Sequence, residues 1–216
     1  MNQILQTNLN TKNKNPNLLK SKRLLKFQLY FSIALIIFIG ISITHNTIKS
    51  SNQEKYSKQI LNNYNITKLY SNQLSNETSN SDKNAESPHI IGIIEISKIN
   101  VYYPIFSNYN DELLKISPCR FYGPLPGKNG NLCIAGHNYD NDKFFSRIST
   151  LNINDEITIY DNSDKKFSYL VSDIYEVGPN DLSPVYSYDS DSKVLTLITC
   201  NNFNNNRIVV KAFNRN

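Results

Sequence analysis

Residue types that bind metals or phosphate groups are scarce in this sequence. Its 216 residues include three cysteines and three histidines, and these form no cluster with the spacing of metal ligands. No glycine-rich loop of the kind that binds phosphate groups is present, and no segment repeats. We therefore expect neither a metal nor another cofactor.

An excess of positive charge is missing from most of the chain, although the formal net charge is +5. Residues 1–26 contain six of the 23 basic residues and no acidic residue, which leaves 17 basic against 18 acidic residues in the remainder. The basic character therefore belongs to this N-terminal tail, which we expect to lie in the cytoplasm. A chain charged in this way gives no reason to expect a nucleic-acid partner.

One segment, residues 27–44, is apolar and carries no charge over 18 positions. A membrane-spanning helix needs about 20 such residues, so this run is near the lower limit. The basic tail before it predicts a cytoplasmic N terminus and an extracellular location for the chain that follows. A cleaved signal peptide is the alternative, but the apolar run exceeds a typical signal-peptide core and no small-x-small cleavage site follows. We expect an uncleaved signal anchor that crosses the cell membrane once.

The segment of residues 45–88 is polar and rich in serine, asparagine and lysine. Apolar residues at helical spacing predict a weak amphipathic helix at about 53–73, and the composition predicts a disordered hinge at 75–84. We interpret the whole segment as a stalk that holds a folded domain away from the membrane. A helix that binds a partner protein is the less favoured interpretation.

Residues 89–216 have the pattern of an all-β domain. Short apolar runs alternate with turns that contain glycine, proline or asparagine, which is typical of a closed barrel or a sandwich. Two strands are expected within residues 90–106, and further strands at 131–136, 156–160, 166–177, 194–200 and 207–213. Other expected features are a short helix at 110–116, a turn at 123–130, and a helical turn at 141–151 that points Phe144, Phe145, Ile148 and Leu151 inward.

Three of the predicted strands have a chemically useful residue at one end. Cys200 ends one strand, His137 follows a second, and Arg207 begins a third. A thiol, an imidazole and a fixed cation together have the chemistry of nucleophilic catalysis. Each residue alone has a simpler explanation, because isolated cysteines are usually small buried hydrophobes and most surface arginines are solvated.

The residues around these positions resemble the sortases, the membrane-bound cysteine transpeptidases of Gram-positive bacteria. The matching motifs are T-L-I-T-C at 196–200, A-G-H-N at 135–138, and the arginine seven positions after the cysteine. They agree with the family in order and spacing, and the resemblance extends over about residues 90–213. It implies a closed sortase-type β-barrel of about eight strands, closer to classes A, D and E than to class B.

The resemblance also implies a mechanism. In the sortases a cysteine attacks a Leu-Pro-x-Thr-Gly-like sorting signal, and an amine then releases the acyl-enzyme. On this basis Cys200 is the nucleophile, His137 is the general acid and base, and Arg207 binds the substrate and stabilises the oxyanion. Thr199 is expected to donate a hydrogen bond to the same region.

The loop at residues 178–193 precedes the cysteine strand, and the equivalent sortase loop binds the leucine and proline of the signal. Leu182 and Val185 offer apolar surface for that contact. The partners implied are surface proteins with a C-terminal sorting signal, and an amine from a peptidoglycan precursor or a pilin lysine.

Other functions stay open at this stage. A pilin-polymerising sortase is one, although that group usually carries a second, C-terminal membrane segment and an aromatic lid that are not expected here. A membrane-tethered β-barrel binding module without chemistry and a purely hydrolytic cysteine protease are the others. Accessible thiol chemistry would separate an enzyme from a binding module, and an amine-dependent product would separate a transferase from a protease.

Two details of the domain also stay open. A disulfide between Cys119 and Cys133 is permitted outside the membrane, but the sequence does not fix its geometry. Some class A sortases bind calcium, but the segment 123–130 has no acidic residue. We therefore expect no metal despite three aspartates in the loop before the cysteine strand, namely Asp181, Asp189 and Asp191.

Overall fold

The computed structural model describes residues 16–74, 89–139, 141–186 and 191–215, and the chain divides into two compact units, Met1–Thr47 and Ile48–Asn216. Helix α1, Pro16–Leu74, contributes to both units. In the first unit, its segment Leu24–His45 has 22 residues and a mean hydropathy of 2.1. By length and composition this segment is a candidate membrane span, and it contains the anchor predicted at residues 27–44.

Eight strands in the described part of the second unit form a closed barrel. They are β1 Ile90–Ile96, β2 Val101–Phe106, β3 Cys119–Tyr122, β4 Gly130–Ala135, β5 Glu156–Asp161, β6 Lys166–Val177, β7 Lys193–Cys200 and β8 Arg207–Asn214. Their order around the barrel is β1-β2-β3-β4-β7-β8-β6-β5, with β5 paired back to β1. Two pairs are parallel, β2 with β3 and β4 with β7, and the other pairs are antiparallel. The predicted all-β barrel is confirmed.

Short helical elements lie in the connections between the strands. Helix α2, Asp111–Leu114, begins after Asn110, whose side-chain oxygen accepts a hydrogen bond from the backbone N–H of Leu113, as an N-cap residue does. Helix α3, Ser183–Tyr186, lies in the connection between β6 and β7. Single 3₁₀ turns occur at Ser97–Ile99 and Ile148–Thr150.

The barrel interior is filled mainly by branched aliphatic side chains from alternate strand positions. On β1, for example, Ile94 and Ile96 are fully buried while Glu95 between them is not. The segment after β4 adds the four predicted inward side chains, since Phe144, Phe145, Ile148 and Leu151 are all buried. Burial of one such side chain stabilises the fold by about 1.5–3 kcal/mol.

Strand β3 is the one barrel strand that the sequence did not predict. It has only four residues, and its side chains go from the buried Cys119 to exposed aromatic rings, so no apolar alternation marks it. It pairs with β2 at one position, Phe106 with Cys119. It lies between β2 and β4 in the barrel, next to the strand that precedes His137.

The second unit also includes part of α1. Ser57 and Leu61, one helical turn apart, are both buried, and the Ser57 hydroxyl hydrogen-bonds the Ser117 hydroxyl at 3.3 Å. The Tyr64 hydroxyl donates to the side-chain oxygen of Asn162 at 2.8 Å. One face of this helix therefore packs on the barrel.

This packing differs from the stalk predicted for residues 45–88. The predicted helix at 53–73 lies within α1, but at residues 51–64 one face contacts the barrel because its serine and tyrosine hydroxyls find partners there. The predicted hinge at 75–84 lies outside the described residues.

Two of the three thiols are structural. Cys119 and Cys133 are buried free cysteines on neighbouring strands, so the structure contains no disulfide between them. In the register of β3 and β4, Cys119 lies opposite Ala135 and Cys133 lies opposite Tyr122. Burial raises the pKa of both thiols to about 12, which keeps them protonated and unreactive.

We expect Gly123→Ala to lower the free energy of unfolding by about 1–3 kcal/mol. Gly123 has a φ of +90°, and a Cβ there would collide with the backbone carbonyl of Asn131. Gly178→Ala is the matched control, because a Cβ at Gly178 meets no atom within 4 Å. Chemical denaturation followed by circular dichroism checks both variants. Equal midpoints for the two would contradict this account of the turn.

Candidate active site

Three neighbouring strands bring the predicted catalytic residues to one edge of the barrel. Strand β4 runs parallel to β7, with Ala135 opposite Ile198, and His137 follows β4 two residues later. Strand β7 runs antiparallel to β8, with Cys200 directly opposite Arg207. The ends of β4 and β7 and the start of β8 therefore meet at the same edge.

A cleft of about 250 Å³ opens at this edge. All six site residues predicted from the sequence line it: Cys200, His137, Arg207, Thr199, Leu182 and Val185. The remaining lining residues are Tyr109, Leu114, Phe121, Ala135, Gly136, Val177, Pro179, Asp181, Pro184, Ile198 and Val209. Most of its lining residues are apolar, and Cys200, His137 and Arg207 lie where the three strand ends meet.

Cys200 differs from the other two cysteines in being exposed. Its backbone carbonyl accepts a hydrogen bond of 2.7 Å from the side-chain amide of Asn138, the residue after His137. The side chain of Asn202 in turn donates to the Asn138 carbonyl at 3.3 Å. These bonds tie the histidine segment to the end of the cysteine strand.

His137 is half-buried in the wall of the cleft. Burial lowers the pKa of its imidazole, the positive charge of Lys115 lowers it further, and the negative charge of Asp111 opposes both. The imidazole is therefore mainly neutral at neutral pH, and once protonated it is a stronger acid than an ordinary histidine. Its ring packs against Tyr139 with the two centroids 4.9 Å apart.

Arg207 is held by backbone carbonyls. Its Nη1 donates to the carbonyl oxygens of Asn205 and Asn206 at 3.2 and 3.3 Å. Within the described residues, no carboxylate lies within ion-pair distance of its guanidinium. The other N–H groups of the planar fork can therefore donate to a carbonyl or an oxyanion in the cleft.

Thr199 has a different partner from the one that the sequence suggested. Its buried hydroxyl donates to the carbonyl of Gly136 at 2.7 Å. The expected hydrogen bond to a substrate is therefore not the bond that this hydroxyl makes. Instead, the Thr199 hydroxyl joins the residue before Cys200 to the residue before His137.

The loop between β6 and β7 forms one wall of the cleft through Leu182, which is exposed, and Val185, which is buried. Its helix α3 is fixed by Asn131, a fully buried residue of β4. The Asn131 amide donates to the carbonyls of Pro184 and Val185 at 2.9 and 3.0 Å. Its oxygen accepts from the Thr196 hydroxyl at 2.7 Å. Loss of such buried partners costs about 1–3 kcal/mol per unsatisfied group.

Sequence reasoning missed two aromatic residues that line the cleft. Tyr109 and Phe121 line the cleft and pack edge to face, with centroids 5.4 Å apart and an interplanar angle of 87°. Phe121 belongs to β3, the unpredicted strand. Asn131 was also missed, although a polar residue at the start of an otherwise apolar strand is a readable signal.

The described residues include no group of three or more histidine, cysteine or acidic side chains placed to hold a metal ion. Of the three loop aspartates, Asp181 lines the cleft and accepts a hydrogen bond from the backbone N–H of Ser183 at 2.8 Å. Asp191 is exposed, and Asp189 lies outside the described residues.

Comparison with known proteins identifies the family. The sortase domain model matches residues 94–214, more than half of the chain. A Clostridium perfringens sortase D5 transpeptidase is 28% identical, with a TM-score of 0.56, over 75% of this chain and 97% of that chain. A lid mutant of Corynebacterium diphtheriae sortase A is 26% identical, with a TM-score of 0.56, over 62% of this chain and 74% of that chain.

A third structure supports the fold alone because of its lower identity. It is a Clostridium perfringens sortase C with the C-terminal cell wall sorting motif, 24% identical, with a TM-score of 0.55, over 81% of this chain and 98% of that chain. A search of curated proteins gives no match. The family match and the shared barrel confirm the resemblance found in the motifs, and the chain belongs to the sortase family.

Proposed function

We propose that this chain is an active cysteine transpeptidase in which Cys200, His137 and Arg207 are the catalytic residues. The observation that carries the proposal is the exposed Cys200 thiol beside Arg207 on paired strands, with His137 in the same cleft. We propose as substrates surface proteins with a Leu-Pro-x-Thr-Gly-like sorting signal. Membership of the sortase family supports this substrate class.

The geometry supports a two-step reaction. The Cys200 thiol first gives its proton to the neutral His137 imidazole. The resulting thiolate attacks the carbonyl carbon of the threonine in the signal, and the Arg207 fork donates hydrogen bonds to the developing oxyanion. The C–N bond then breaks while the His137 imidazolium gives its proton to the leaving amine, which yields a thioester and a neutral imidazole. In the second step an amine attacks the thioester, His137 takes up its proton, and the thiolate of Cys200 leaves.

Assay of the full chain in detergent micelles tests this proposal. The substrates are a panel of Leu-Pro-x-Thr-Gly peptides with single-residue changes, and triglycine serves as the amine. We expect a thioester at Cys200 by mass spectrometry and a triglycine-linked product. Water-only cleavage at every amine concentration would indicate a cysteine protease. Absence of both thioester and cleavage over the whole panel would indicate a binding module.

We expect Cys200→Ala to abolish acylation and Arg207→Lys to lower kcat by about 10²–10³-fold. The loss follows because a compact ammonium group cannot reproduce the planar donor fork of arginine. Arg215→Lys, an exposed change just after the opposite end of β8, is the control and should retain turnover. Near-normal turnover of Arg207→Lys would show that Arg207 does not stabilise the oxyanion.

We propose that the cleft wall formed by Leu182 and Val185 binds the leucine of the sorting signal. We expect substitution of that leucine by alanine to reduce kcat/KM by about 10–200-fold, because the signal then loses apolar contacts in the cleft. Leu182→Ala should remove much of this discrimination, because Leu182 lines the cleft with about half of its surface exposed. Ile153→Ala changes a similarly exposed residue outside the cleft and is the control. Unchanged discrimination in Leu182→Ala would assign recognition to other residues.

We also propose that residues 27–44 anchor the chain with its N terminus in the cytoplasm and its catalytic domain outside. The support is the apolar segment Leu24–His45 together with the basic residues before it. On intact cells, a membrane-impermeant maleimide should label Cys200, the exposed thiol. A cysteine at Lys12, placed in a Cys200→Ala chain, should be labelled only after lysis. The reverse pattern, or a mature N terminus at residues 41–51, would contradict the anchor.

A further inference from the structure

Glu54 is a charged residue in the α1 segment that packs on the barrel, residues 51–64. It is only 15% exposed, and it forms ion pairs with Lys143 and, at 2.8 Å, with Lys58. Burial raises the pKa of the nearby Tyr103 to about 12, and the negative charge of Glu54 adds to this increase. Burial raises the pKa of the Glu54 carboxyl, but the two lysines more than offset this and the net pKa lies below the ordinary value. Glu54 is therefore ionised at neutral pH.

The partners of Glu54 hold a turn with an unfavourable backbone. Asp142 and Phe144 have positive φ values of +58° and +53°. This left-handed conformation is unusual for a residue as bulky as phenylalanine, so its neighbours must stabilise it. Lys143, the residue between them, is the one that pairs with Glu54.

Tyr103 contributes a second set of contacts to this turn. Its side chain is buried and lies close to the Glu54 carboxylate. Its ring stacks on the Phe144 ring with centroids 4.8 Å apart and an interplanar angle of 12°. Glu54 thus contacts the turn through Lys143, next to a tyrosine ring that packs on Phe144.

The aromatic contacts of this turn extend to His137. The Phe144 ring packs edge to face on Tyr139 at 5.5 Å, and the Tyr139 ring packs on the His137 imidazole at 4.9 Å. The backbone N–H of Phe145 donates to the His137 carbonyl at 3.0 Å. Gln53, next to Glu54 on the helix, lies close to the Tyr139 hydroxyl. Two adjacent helix residues therefore lie against the turn and against the aromatic ring that contacts the imidazole.

We propose that Glu54 is a positioning residue for catalysis: through its ion pair with Lys143 it holds the turn at residues 141–145, which fixes the orientation and burial of the His137 imidazole. This inference rests on the proposed transpeptidase function. Glu54 is not among the residues that line the cleft, so it acts through other residues. It makes α1 a part of the catalytic unit as well as the candidate anchor.

The test uses the full chain with Glu54→Gln, Glu54→Ala and Lys143→Gln. Glutamine keeps the size of glutamate and can still accept a hydrogen bond, but it loses both ion pairs. We expect kcat to fall about 10-fold in Glu54→Gln and by up to about 100-fold in Glu54→Ala, with KM changed little, because misplacement of a catalytic group by about 1 Å costs up to that much. The double variant Glu54→Gln with Lys143→Gln should be no slower than the slower single variant.

A second readout follows His137 itself, by NMR titration in a Cys200→Ala background. Burial, the largest cause, lowers the pKa of this imidazole, and the charges facing it, Lys115 and Asp111, are unchanged in the variants. A loosened turn admits water, so the pKa of His137 should rise toward its ordinary value in Glu54→Ala. A purely structural role of Glu54 would leave this pKa where it is.

Two substitutions serve as controls. Lys58→Gln removes the exposed partner of Glu54 without touching the turn, since the Lys58 side chain is 63% exposed. Glu156→Gln removes another ion-paired glutamate, which contacts Lys166 and Ser168 instead. Both should retain kcat within about twofold and leave the pKa of His137 unchanged.

The outcomes separate this inference from the proposed function. If the parent chain transfers peptides and the folded Glu54 variants keep both kcat and the His137 titration, positioning by Glu54 is wrong and the transpeptidase function stands. If Glu54→Ala lowers the melting temperature but its folded fraction keeps both values, Glu54 is only structural and the inference is again wrong. If the parent shows no acyl transfer, the proposed function fails, and the His137 titration still decides the positioning role.

Discussion

The site depends on the register of β7 between its two neighbours. Paired in parallel with β4 and antiparallel with β8, this strand sets Cys200 opposite Arg207 and brings the end of β4 alongside. Leu195 and Leu197 are fully buried in the barrel. A slip of one residue would turn these side chains outward, so burial of the core also holds the register and hence the site.

The same barrel explains why one thiol of three is suited to react. Cys119 and Cys133 are fully buried, and burial raises their pKa to about 12 and favours the neutral thiol. Cys200 is the last residue of its strand, where the sheet fixes the backbone and solvent reaches the side chain. Burial therefore separates the two structural cysteines from the candidate nucleophile within one fold.

Sequence patterns predicted the parts of this molecule that are governed by local periodicity. The strand that ends at Cys200 and the inward-facing Phe144 and Phe145 follow from apolar residues at regular spacing. Strand β3 was missed because four residues are too few for a pattern, and the cleft residue Phe121 was missed with it. Asn131 was missed for another reason. Its partners, the carbonyls of Pro184 and Val185, lie on a loop more than 50 positions away, and only the fold brings them together.

Side chains outside the strands are fixed by further contacts. We call the loop at residues 201–206 the arginine flank of the cleft and the turn at residues 141–145 the histidine flank, and each of them is held by a carboxylate. On one flank, Glu176 accepts hydrogen bonds from the side-chain amides of Asn201, Asn204 and Asn206, in the loop that supplies the carbonyls around Arg207.

On the other flank, Glu54 pairs with Lys143 in the turn that supports His137, across 89 residues of sequence. Glu176 is exposed and has neutral donors, whereas Glu54 is largely shielded from water and has charged partners. Charge pairs shielded from water are screened less by salt and respond more strongly to the loss of one partner. The histidine flank therefore relies on a shielded ion pair in addition to its contacts with the strand ends, while the arginine flank is supported by several neutral hydrogen bonds.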